Sequence, residues 1–302
     1  MECRSSVRRE TQKEKIAHII YELRKSYSLE ILLQIAAMKQ STYYYTISKV
    51  NKDNKNDKLM NKIINIFYEH KERYGYRRIT MELKNQGIIV NHKKVQRLMN
   101  VMGLYSKVRK KRKYSSYKGT VGKIADNLIE RNFGAEAPNQ KWYTDVTEFN
   151  LRGEKLYLSP ILDGFNGEVV SFNLSISPNL KQIKEMLKDA FERNPVVTDL
   201  IIHSDQGWQY QHFSYIHELK EKGIKQSMSR KGNSMDNGMM ESFFGILKSE
   251  MFYGEEHTFK NLQELKIAIS EYIEYYNVKR IKAKLKGLSP VSYRTQALQL
   301  HQ

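Results

Sequence analysis

Residues 141–175 read KWYTDVTEFNLRGEKLYLSPILDGFNGEVVSFNLS. From about residue 138 the helical spacing gives way to runs of apolar, aromatic and β-branched residues bounded by turn residues, which is typical of β-strands. The pattern predicts three strands joined by tight turns at Arg152-Gly153 and Asn166-Gly167. The predicted strands are Trp142–Leu151, Lys155–Leu162 and Glu168–Ser175.

Downstream of this stretch, helical spacing alternates with short apolar runs. The predicted helices cover Leu180–Phe191, His212–Lys222, Asp236–Met251 and Leu262–Asn277, with strands at Asp199–His203 and Ile224–Met228. The order β-β-β-α-β-α-β-α favours an α/β fold with a mixed five-stranded sheet covered by helices. A basic tail that contains Leu288-Ser289-Pro290 follows the last helix.

Upstream, the spacing of apolar residues predicts a small all-α region. Segments 13–25 and 29–38 have helical spacing, and residues 50–57, VNKDNKND, are interpreted as a polar linker after a break at residues 40–42. A second helical unit covers residues 58–104, with a helix at Ile79–Lys84 and another that is capped by Asn91 and stopped at Gly103. This unit fits a helix-turn-helix. For the first pair of helices, simple packing and DNA contact both remain open.

The formal net charge is +18, and residues 1–120 carry all of it. A basic block joined to a neutral block indicates an anion-binding module attached to a unit that performs chemistry. The helix after Asn91 would expose donors for phosphates and bases, namely Lys93, Lys94, Gln96 and Arg97. The run KVRKKRK at residues 107–113 is either a solvated tether or a phosphate-tracking linker, whose basic residues include Arg109, Lys110, Lys111, Arg112 and Lys113.

Composition also excludes several classes of protein. Cys3 is the only cysteine, which rules out an internal disulfide and a Cys-rich zinc ribbon. The sequence contains no apolar run long enough for a signal peptide or a membrane span. We therefore expect a soluble, cytoplasmic protein.

Three carboxylates have distinctive local sequences. Asp145 lies within WYTD, Asp205 within HSDQG and Glu241 within DNGMMES, and 35 residues separate the last two. If they converge, their oxygens suit divalent metal ions at a phosphodiester, because hard cations such as Mg²⁺ prefer carboxylate ligands. Lys248, two helical turns after Glu241, could contact a phosphate. Asp163 is the leading alternative or additional member of the site, and Glu148 also competes.

Six ordered motifs together resemble one family. They are YGYRRI (74–79), VNHKKVQRLMNVMGL (90–104), WYTDVTEF (142–149), HSDQGWQY (203–210), DNGMMESFFGILKSE (236–250) and YNVKRIKAKLKGLSP (276–290). With them the chain resembles the second-frame protein of the two-frame, IS3-type bacterial insertion-sequence transposases. That family shares its catalytic core with retroviral integrases. The chain departs from the family at Lys282, where the family usually has His.

The resemblance implies a ribonuclease-H-like core whose catalytic triad is Asp145, Asp205 and Glu241, followed by the basic residue Lys248. It implies two Mg²⁺ or Mn²⁺ ions, and cleavage and transfer of DNA strands during movement of an insertion sequence. Arg77, Arg78 and Arg280 are expected as further DNA contacts. The implied partners are double-stranded DNA, a first-frame protein or fusion, and further copies of the chain.

Two alternative functions remain open at this stage. One is a ribonuclease-H-like nuclease or resolvase that only hydrolyses, and the other is a non-catalytic DNA-binding modulator of transposition. The expected segments are an N-terminal helical segment (1–50), a helix-turn-helix-like domain (58–106), a basic linker (107–137), the catalytic core (138–256) and a C-terminal helix with a basic tail (257–302).

Overall fold

The computed structural model of the chain describes residues 12–107, 125–230 and 233–299. The first of these ranges is helical, and the rest forms a mixed sheet with helices on both faces. The N-terminal helices are α1 (Gln12–Leu23), α2 (Leu29–Ile35), α3 (Gln40–Glu69), α4 (Tyr76–Asn85) and α5 (His92–Val101).

Helix α3 is 30 residues long, and its length corrects two predictions. Residues 40–42 begin this helix rather than break one, and the predicted linker at residues 50–57 lies within it. No Gly or Pro occurs between residues 40 and 69. A polar composition alone does not stop a helix, because Lys, Asn and Asp cost only fractions of a kcal/mol each. The start of α3 packs with α1 and α2 around Ala17, Ile20 and Tyr43.

The end of α3 packs with α4 and α5 around Phe67, Ile79 and Val95. Asn91 caps α5 as predicted, since its side chain accepts the N–H of Lys93 at 2.8 Å. The predicted stop is also confirmed, because Gly103 follows the helix with φ of +68°. The two short helices α4 and α5 therefore form the predicted helix-turn-helix-like pair.

The sheet contains two antiparallel hairpins and a parallel half. Its strands are β1 (Lys141–Thr144), β2 (Thr147–Leu151), β3 (Glu154–Asp163), β4 (Val169–Ser175), β5 (Ile201–Ser204) and β6 (Lys225–Met228). Strand β3 pairs antiparallel with β1, β2 and β4, whereas β1, β5 and β6 run parallel. The mixed sheet was predicted.

Strands β1 and β2 are the two halves of the first predicted strand. They pair with β3 in one register, since Thr144 lies opposite Ile161 and Thr147 opposite Leu158. Between them, the Asp145 carboxylate accepts the N–H of Val146 at 2.7 Å. A side chain that takes a backbone donor competes with the strand ladder, which explains the interruption. If β1 and β2 are counted as one interrupted strand, the sheet has the five strands that the sequence predicts.

Helices cover both faces of the sheet. They are α6 (Leu180–Arg193), α7 (Trp208–Gln211), α8 (Phe213–Glu221), α9 (Gly238–Met251), α10 (Leu262–Val278) and α11 (Pro290–Gln299). Tyr143 points to the face covered by α9 and α10, and Trp142 points to the face covered by α6 and α8. This alternation along β1 produces two cores from a single strand.

The predicted basic tail contains a helix instead. Pro290 is the first residue of α11, where its missing N–H costs nothing. The hydroxyl of Ser289 accepts the N–H of Ser292 at 3.3 Å, as a capping residue does. None of the helices in the described ranges is long and apolar enough to cross a membrane.

The helix-turn-helix-like unit is fixed to the core at the end of α9. Glu250, in the last turn of α9, is buried and accepts hydrogen bonds from Arg280 at 2.8 and 2.6 Å and from Arg78 at 3.3 Å. Arg73 donates to the carbonyl of the same Glu250 at 3.1 Å. One helix therefore extends from the sheet edge to the helical unit.

Candidate active site

Asp145 and Asp205 follow neighbouring parallel strands at the same edge of the sheet. Tyr143 of β1 lies level with His203 of β5, so the two aspartates come level two residues later. Adjacent strands are about 4.8 Å apart. The carboxyl ends of parallel strands are a frequent location for ligand sites. The register therefore brings together two of the three predicted carboxylates.

A tight turn orients Asp205. Its carboxylate accepts the N–H of Gly207 at 2.9 Å. A Cβ at Gly207 would approach the Oδ1 of Asp205 to 2.9 Å, so a side chain at this position would crowd the carboxylate. The glycine of the HSDQG motif is thus required by the close approach of the backbone to Asp205.

The start of α9 brings the third carboxylate. Glu241 lies in the first turn of α9, and its charge acts on Asp145. Asn237, one turn earlier, donates its amide to the Oδ2 of Asp145 at 2.8 Å. Asn237 is buried, and its Oδ1 has no hydrogen-bond partner among the described residues. Asn237 was not among the predicted site residues, although it lies four residues, about one helical turn, before Glu241. Only the packing of α9 on β1 shows its contact with Asp145.

The site concentrates negative charge on partly buried carboxylates. Burial, followed by the charge of Asp205, raises the pKa of Asp145 well above its usual range. Burial also raises the pKa of Asp205. Hydrogen bonds from Val146, Asn237 and Gly207 oppose these shifts. Without a cation, one of these carboxylates therefore retains its proton more readily than an isolated Asp does.

A buried network holds the loop that precedes α9. The ring of His203 bonds the Ser227 hydroxyl at 2.9 Å and the Asp236 carbonyl oxygen at 3.0 Å. Arg230 and Arg131 donate to the Asp236 carboxylate at 2.8 and 3.0 Å, and the hydrogen bonds from Arg230 lower its pKa. Asp236 is the first residue of the predicted helix Asp236–Met251, where a capping role is usual. In the structure it does not cap α9 but fixes the backbone that carries Asn237.

The two competing carboxylates lie elsewhere. Asp163 is opposite Trp142, at the other end of β1 from Asp145, and accepts the N–H groups of Phe165 and Asn139 at 2.9 Å each. It stabilises turns and is not a fourth member of the site. Glu148 is exposed and pairs with Lys155 at 3.0 Å.

Lys248 lies against β2. Its ammonium donates to the carbonyl of Glu148 at 2.6 Å and lies 5.0 Å from the centre of the Phe149 ring. This contact fastens α9 to the strand that follows Asp145. A role for Lys248 at a phosphate stays a prediction.

The donor set suits a divalent cation by its chemistry. Asp145, Asp205 and Glu241 supply hard oxygen ligands, and a cation would relieve the repulsion that raises the pKa of Asp145. In residues 12–107, 125–230 and 233–299, no three His, Cys, Asp or Glu side chains are already arranged to hold a metal ion. The oxygens of Asp145 accept N–H groups from Val146 and Asn237.

The predicted DNA contacts fall into three groups. Lys93, Gln96, Arg97 and Arg77 are exposed on the helix-turn-helix-like pair, and Lys94 is half-buried beside them. Residues 109–113 lie outside the described residues. Arg280 differs from the prediction, because it is 1% exposed and holds Glu250 with two hydrogen bonds. Arg78 shares that carboxylate, so neither guanidinium is presented to DNA as a free surface group.

Lys282 is also partly buried and bonded to backbone carbonyls rather than presented at the surface. Its ammonium donates to the carbonyls of Asn166 and Gly167 at 3.2 and 3.0 Å and lies 4.4 Å from the Tyr276 ring centre. Burial, followed by the charge of Arg280, lowers the pKa of Lys282 to about 7. Lys282 therefore fastens the C-terminal segment to the turn between β3 and β4.

Comparison with known proteins gives the family. An HTH-like domain model matches residues 54–112, and two integrase core domain models match residues 135–234 and 241–298. The InsK protein of insertion sequence element IS150 from Escherichia coli is 50% identical over 278 residues, which cover 92% of this chain and 97% of that protein. The transposase for insertion sequence element IS904 from Lactococcus lactis is 40% identical over 237 residues, covering 78% of this chain and 92% of that protein.

A third relative, the transposase InsF for insertion sequence IS3A from Escherichia coli, is 33% identical over 237 residues, covering 78% of this chain and 82% of that protein. The two integrase models together include Asp145, Asp205 and Glu241 within their matched residues. The mixed sheet, the helical unit and these matches agree with the resemblance that the motifs indicated. The chain belongs to the IS3-type insertion-sequence transposases, enzymes that combine an integrase catalytic core with a helix-turn-helix-like domain.

Proposed function

We propose that this transposase cleaves and joins DNA strands at Asp145, Asp205 and Glu241, which hold two divalent metal ions, Mg²⁺ or Mn²⁺. The supporting observation is the meeting of two parallel strand ends with the start of α9, where the charges of Asp205 and Glu241 both act on Asp145. Clustered carboxylates of this kind destabilise a folded chain unless a cation or a proton compensates their charge, and such clusters occur mainly at functional sites.

Each protein group then has a definite task. When bound, the ions supply Lewis-acid activation of the attacking oxygen and stabilisation of the leaving oxygen. Asp145 contributes from the gap between β1 and β2, Asp205 from its glycine turn, and Glu241 from α9. Asn237 holds Asp145 in one orientation through its 2.8 Å hydrogen bond. Water is the nucleophile for cleavage, and the 3′-hydroxyl that cleavage releases is the nucleophile for joining.

The exposed face of α5 is proposed to bind DNA. Lys93, Gln96, Arg97 and Asn100 line one shallow depression on this face. Lys and Arg neutralise phosphates, and Gln and Asn can read base edges in the major groove. Arg77, exposed on the neighbouring helix α4, is proposed as a further phosphate contact. Residues 109–113 remain proposed contacts on charge alone.

The proposal also includes partners and location. Movement of an element requires two of its ends in one complex, so we propose that the chain acts as a multimer on double-stranded DNA in the cytoplasm. A first-frame protein, or a fusion with it, is proposed as the partner that completes recognition of the ends. Light scattering of the chain on DNA ends, with and without that partner, measures the mass of the complex, from which the number of copies of each protein is calculated.

Three substitutions test the catalytic proposal. Asp145→Asn, Asp205→Asn and Glu241→Gln are each expected to abolish Mg²⁺-dependent cleavage and joining while leaving DNA affinity near that of the parent. Each change removes a negative oxygen ligand and preserves the shape of the side chain. Cleavage of labelled element-end DNA and joining to a target plasmid are measured separately, which also distinguishes a transposase from an enzyme that only hydrolyses.

Glu148→Gln is the matched control, because Glu148 is a carboxylate three residues from Asp145 that lies exposed beside Lys155. It is expected to retain both activities. Normal strand transfer by any one of the three site variants would show that the assignment of the triad is wrong.

A further inference from the structure

The two tryptophans of the chain have opposite environments. Trp142 is fully buried, and its indole donates to the Oδ1 of Asn139 at 3.2 Å. Trp208 is 56% exposed, and within the described residues its indole has neither a hydrogen bond nor a ring contact. A large aromatic side chain left in water gives up burial energy that it could gain elsewhere in the fold. Single exposed apolar residues are common, so its location has to carry the argument.

Trp208 is attached directly to the active-site edge. It follows Asp205 by three residues, which limits their separation to about 10 Å even for an extended chain. The intervening turn is fixed, since the N–H of Gly207 bonds the Asp205 carboxylate. The position of the indole is therefore tied to the carboxylate that is proposed to hold a metal ion at the scissile phosphate.

The short helix that carries Trp208 is rigidly mounted. Two residues later Tyr210 is buried, with its hydroxyl 3.3 Å from that of Thr144 in β1. Gln226 of β6 donates to the carbonyl of Tyr210 at 2.7 Å, and Gln211 bonds back to the carbonyl of Gln206. A rigid mount lowers the entropy cost of using an exposed side chain as a binding surface.

A second exposed apolar residue occurs in the loop before α9. Met235 is 61% exposed and precedes by two residues Asn237, which contacts Asp145. Gln206 donates to the carbonyl of Ser229 at 3.0 Å, so the loops that follow β5 and β6 are joined. Exposed apolar side chains thus occur close in sequence both to Asp205 and to Asn237, the residue that contacts Asp145.

We propose that Trp208 is a stacking platform for an unpaired nucleobase next to the phosphodiester at the active site. The proposal rests on the proposed function, which places a DNA strand at Asp205. A base within an intact duplex has both faces covered, whereas an unpaired base exposes a face to an aromatic ring. Stacking requires no particular base sequence, which suits a site that handles both the element end and varied target DNA.

The unpaired base has two possible sources. It belongs either to the frayed end of the element or to target DNA that is locally opened. The same indole chemistry serves both, so two DNA probes distinguish them: a short duplex with an unpaired 3′ overhang, and a duplex of equal length with an internal mismatched bubble. A fully paired duplex is the reference.

The experiment measures binding without catalysis. Full-length protein that carries Asp145→Asn is titrated with each labelled DNA in the absence of Mg²⁺, and affinity is read from fluorescence anisotropy. Trp208→Ala in this background is expected to lose about tenfold in affinity for one or both unpaired probes. Its affinity for the fully paired duplex should be unchanged, and Trp208→Tyr should restore most of the loss because its ring can still stack.

Phe213→Ala is the matched control. Phe213 is also an exposed aromatic residue, 76% exposed, but it starts α8 and stacks on His217 rather than following Asp205. Its substitution should leave all three affinities unchanged. An independent signal comes from the parent protein: Trp142 is buried, so the fluorescence accessible to acrylamide reports Trp208 and should be shielded by the unpaired probes.

Equal affinity of Trp208→Ala and its parent for both unpaired probes would overturn the proposal, as would an equal loss on the fully paired duplex. These outcomes are separate from those for the catalytic proposal. The triad fails if its variants still transfer strands, whereas the stacking proposal is decided by DNA binding alone.

Discussion

Arg280→Ala distinguishes two roles for a basic residue that the sequence assigned to DNA. Arg280 is 1% exposed, and its guanidinium donates to both carboxylate oxygens of Glu250, at 2.8 and 2.6 Å. After the substitution, Glu250 keeps only the hydroxyl of Tyr272 at 2.8 Å and the guanidinium of Arg78 at 3.3 Å. A buried carboxylate would then be poorly compensated.

The expected cost follows from this geometry. Removing one partner of a buried ion pair destabilises a protein by about 3–5 kcal/mol, and the remaining Arg78 favours the lower end. For a folded unit of about 200 residues, each kcal/mol lowers Tm by roughly 2–4 °C. We therefore expect a drop of about 10 °C, measured by circular dichroism at pH 7.

The pH dependence has a definite sign. Burial alone would raise the pKa of Glu250, but the hydrogen bonds from Arg280 and the charges around it leave the pKa below its usual value of 4.5. The stabilising effect is thus present above that usual value and is lost as the pH falls through the lowered pKa. The difference in Tm between parent and Arg280→Ala should shrink in the same acidic range.

Two further variants make the result decisive. Arg77→Ala removes an exposed guanidinium from α4 and should weaken DNA binding with little change in Tm. Replacing both Arg280 and Glu250 by Met should recover much of the lost stability, because no buried carboxylate is then left undercompensated, and the partly exposed Arg78 keeps its hydrogen bond to the carbonyl of Arg73 at 3.3 Å. The reasoning is refuted if Arg280→Ala keeps the parental Tm and instead lowers DNA affinity, with a salt dependence reduced by about one phosphate contact.

Three other substitutions test separate parts of the structure. Asn237→Ala should lower the rate of Mg²⁺-dependent cleavage by roughly 10- to 100-fold, because Asp145 loses an orienting hydrogen bond; an unchanged rate in a single-turnover assay would remove Asn237 from the site. Gly167→Ala should be about 1 kcal/mol more destabilising in urea unfolding than Gly223→Ala, whose φ is also +68° and whose added Cβ would meet nothing within 4 Å. Both glycines have positive φ, but only at Gly167 would a Cβ meet the ammonium of Lys282, at 2.6 Å; equal losses would contradict this. Asp145→Asn should raise the Tm of the metal-free protein at neutral pH. Burial and the charge of Asp205 raise the folded-state pKa of Asp145 above its usual value of 3.8, so the parent protein loses stability as the pH rises from 3.8 through the raised pKa. Thermal melts of both proteins at each pH check this. A parent protein that is at least as stable as Asp145→Asn at pH 8 would disprove it.

The strands and most helices could be predicted because their signals are local. Alternation specified the two faces of β1, Asn91 and Gly103 marked the ends of α5, and Arg152-Gly153 marked a hairpin turn. The Ser289-Pro290 pair carried a comparable signal for the start of α11, since Pro is favoured at the first helical position and Ser before it. That signal went unused because the surrounding residues are basic and irregular.

Other features depend on contacts between distant segments. The interruption at Asp145 requires its own carboxylate to bind the N–H of Val146, and the role of Asn237 requires the packing of α9 on β1. Arg280 was expected as a DNA contact, whereas it is buried against Glu250. The structure shows that α4, α9 and the chain after α10 meet, which brings Arg78, Glu250 and Arg280 together.

The 14 residues of α9 carry Glu241 in the first turn and Glu250 in the last, a rise of about 14 Å between them. In an engineered transposase whose helix-turn-helix-like unit is exchanged for that of a relative, the incoming unit would have to supply the counterparts of Arg73 and Arg78 to α9. A unit that lacked them would leave the Glu250 carboxylate to Arg280 and Tyr272 alone and its carbonyl without Arg73, which weakens the attachment of the helix that bears Glu241. Changing which element ends such an enzyme acts on therefore requires a unit that preserves the contacts of Arg73 and Arg78 with Glu250 as well as one that binds the new DNA sequence.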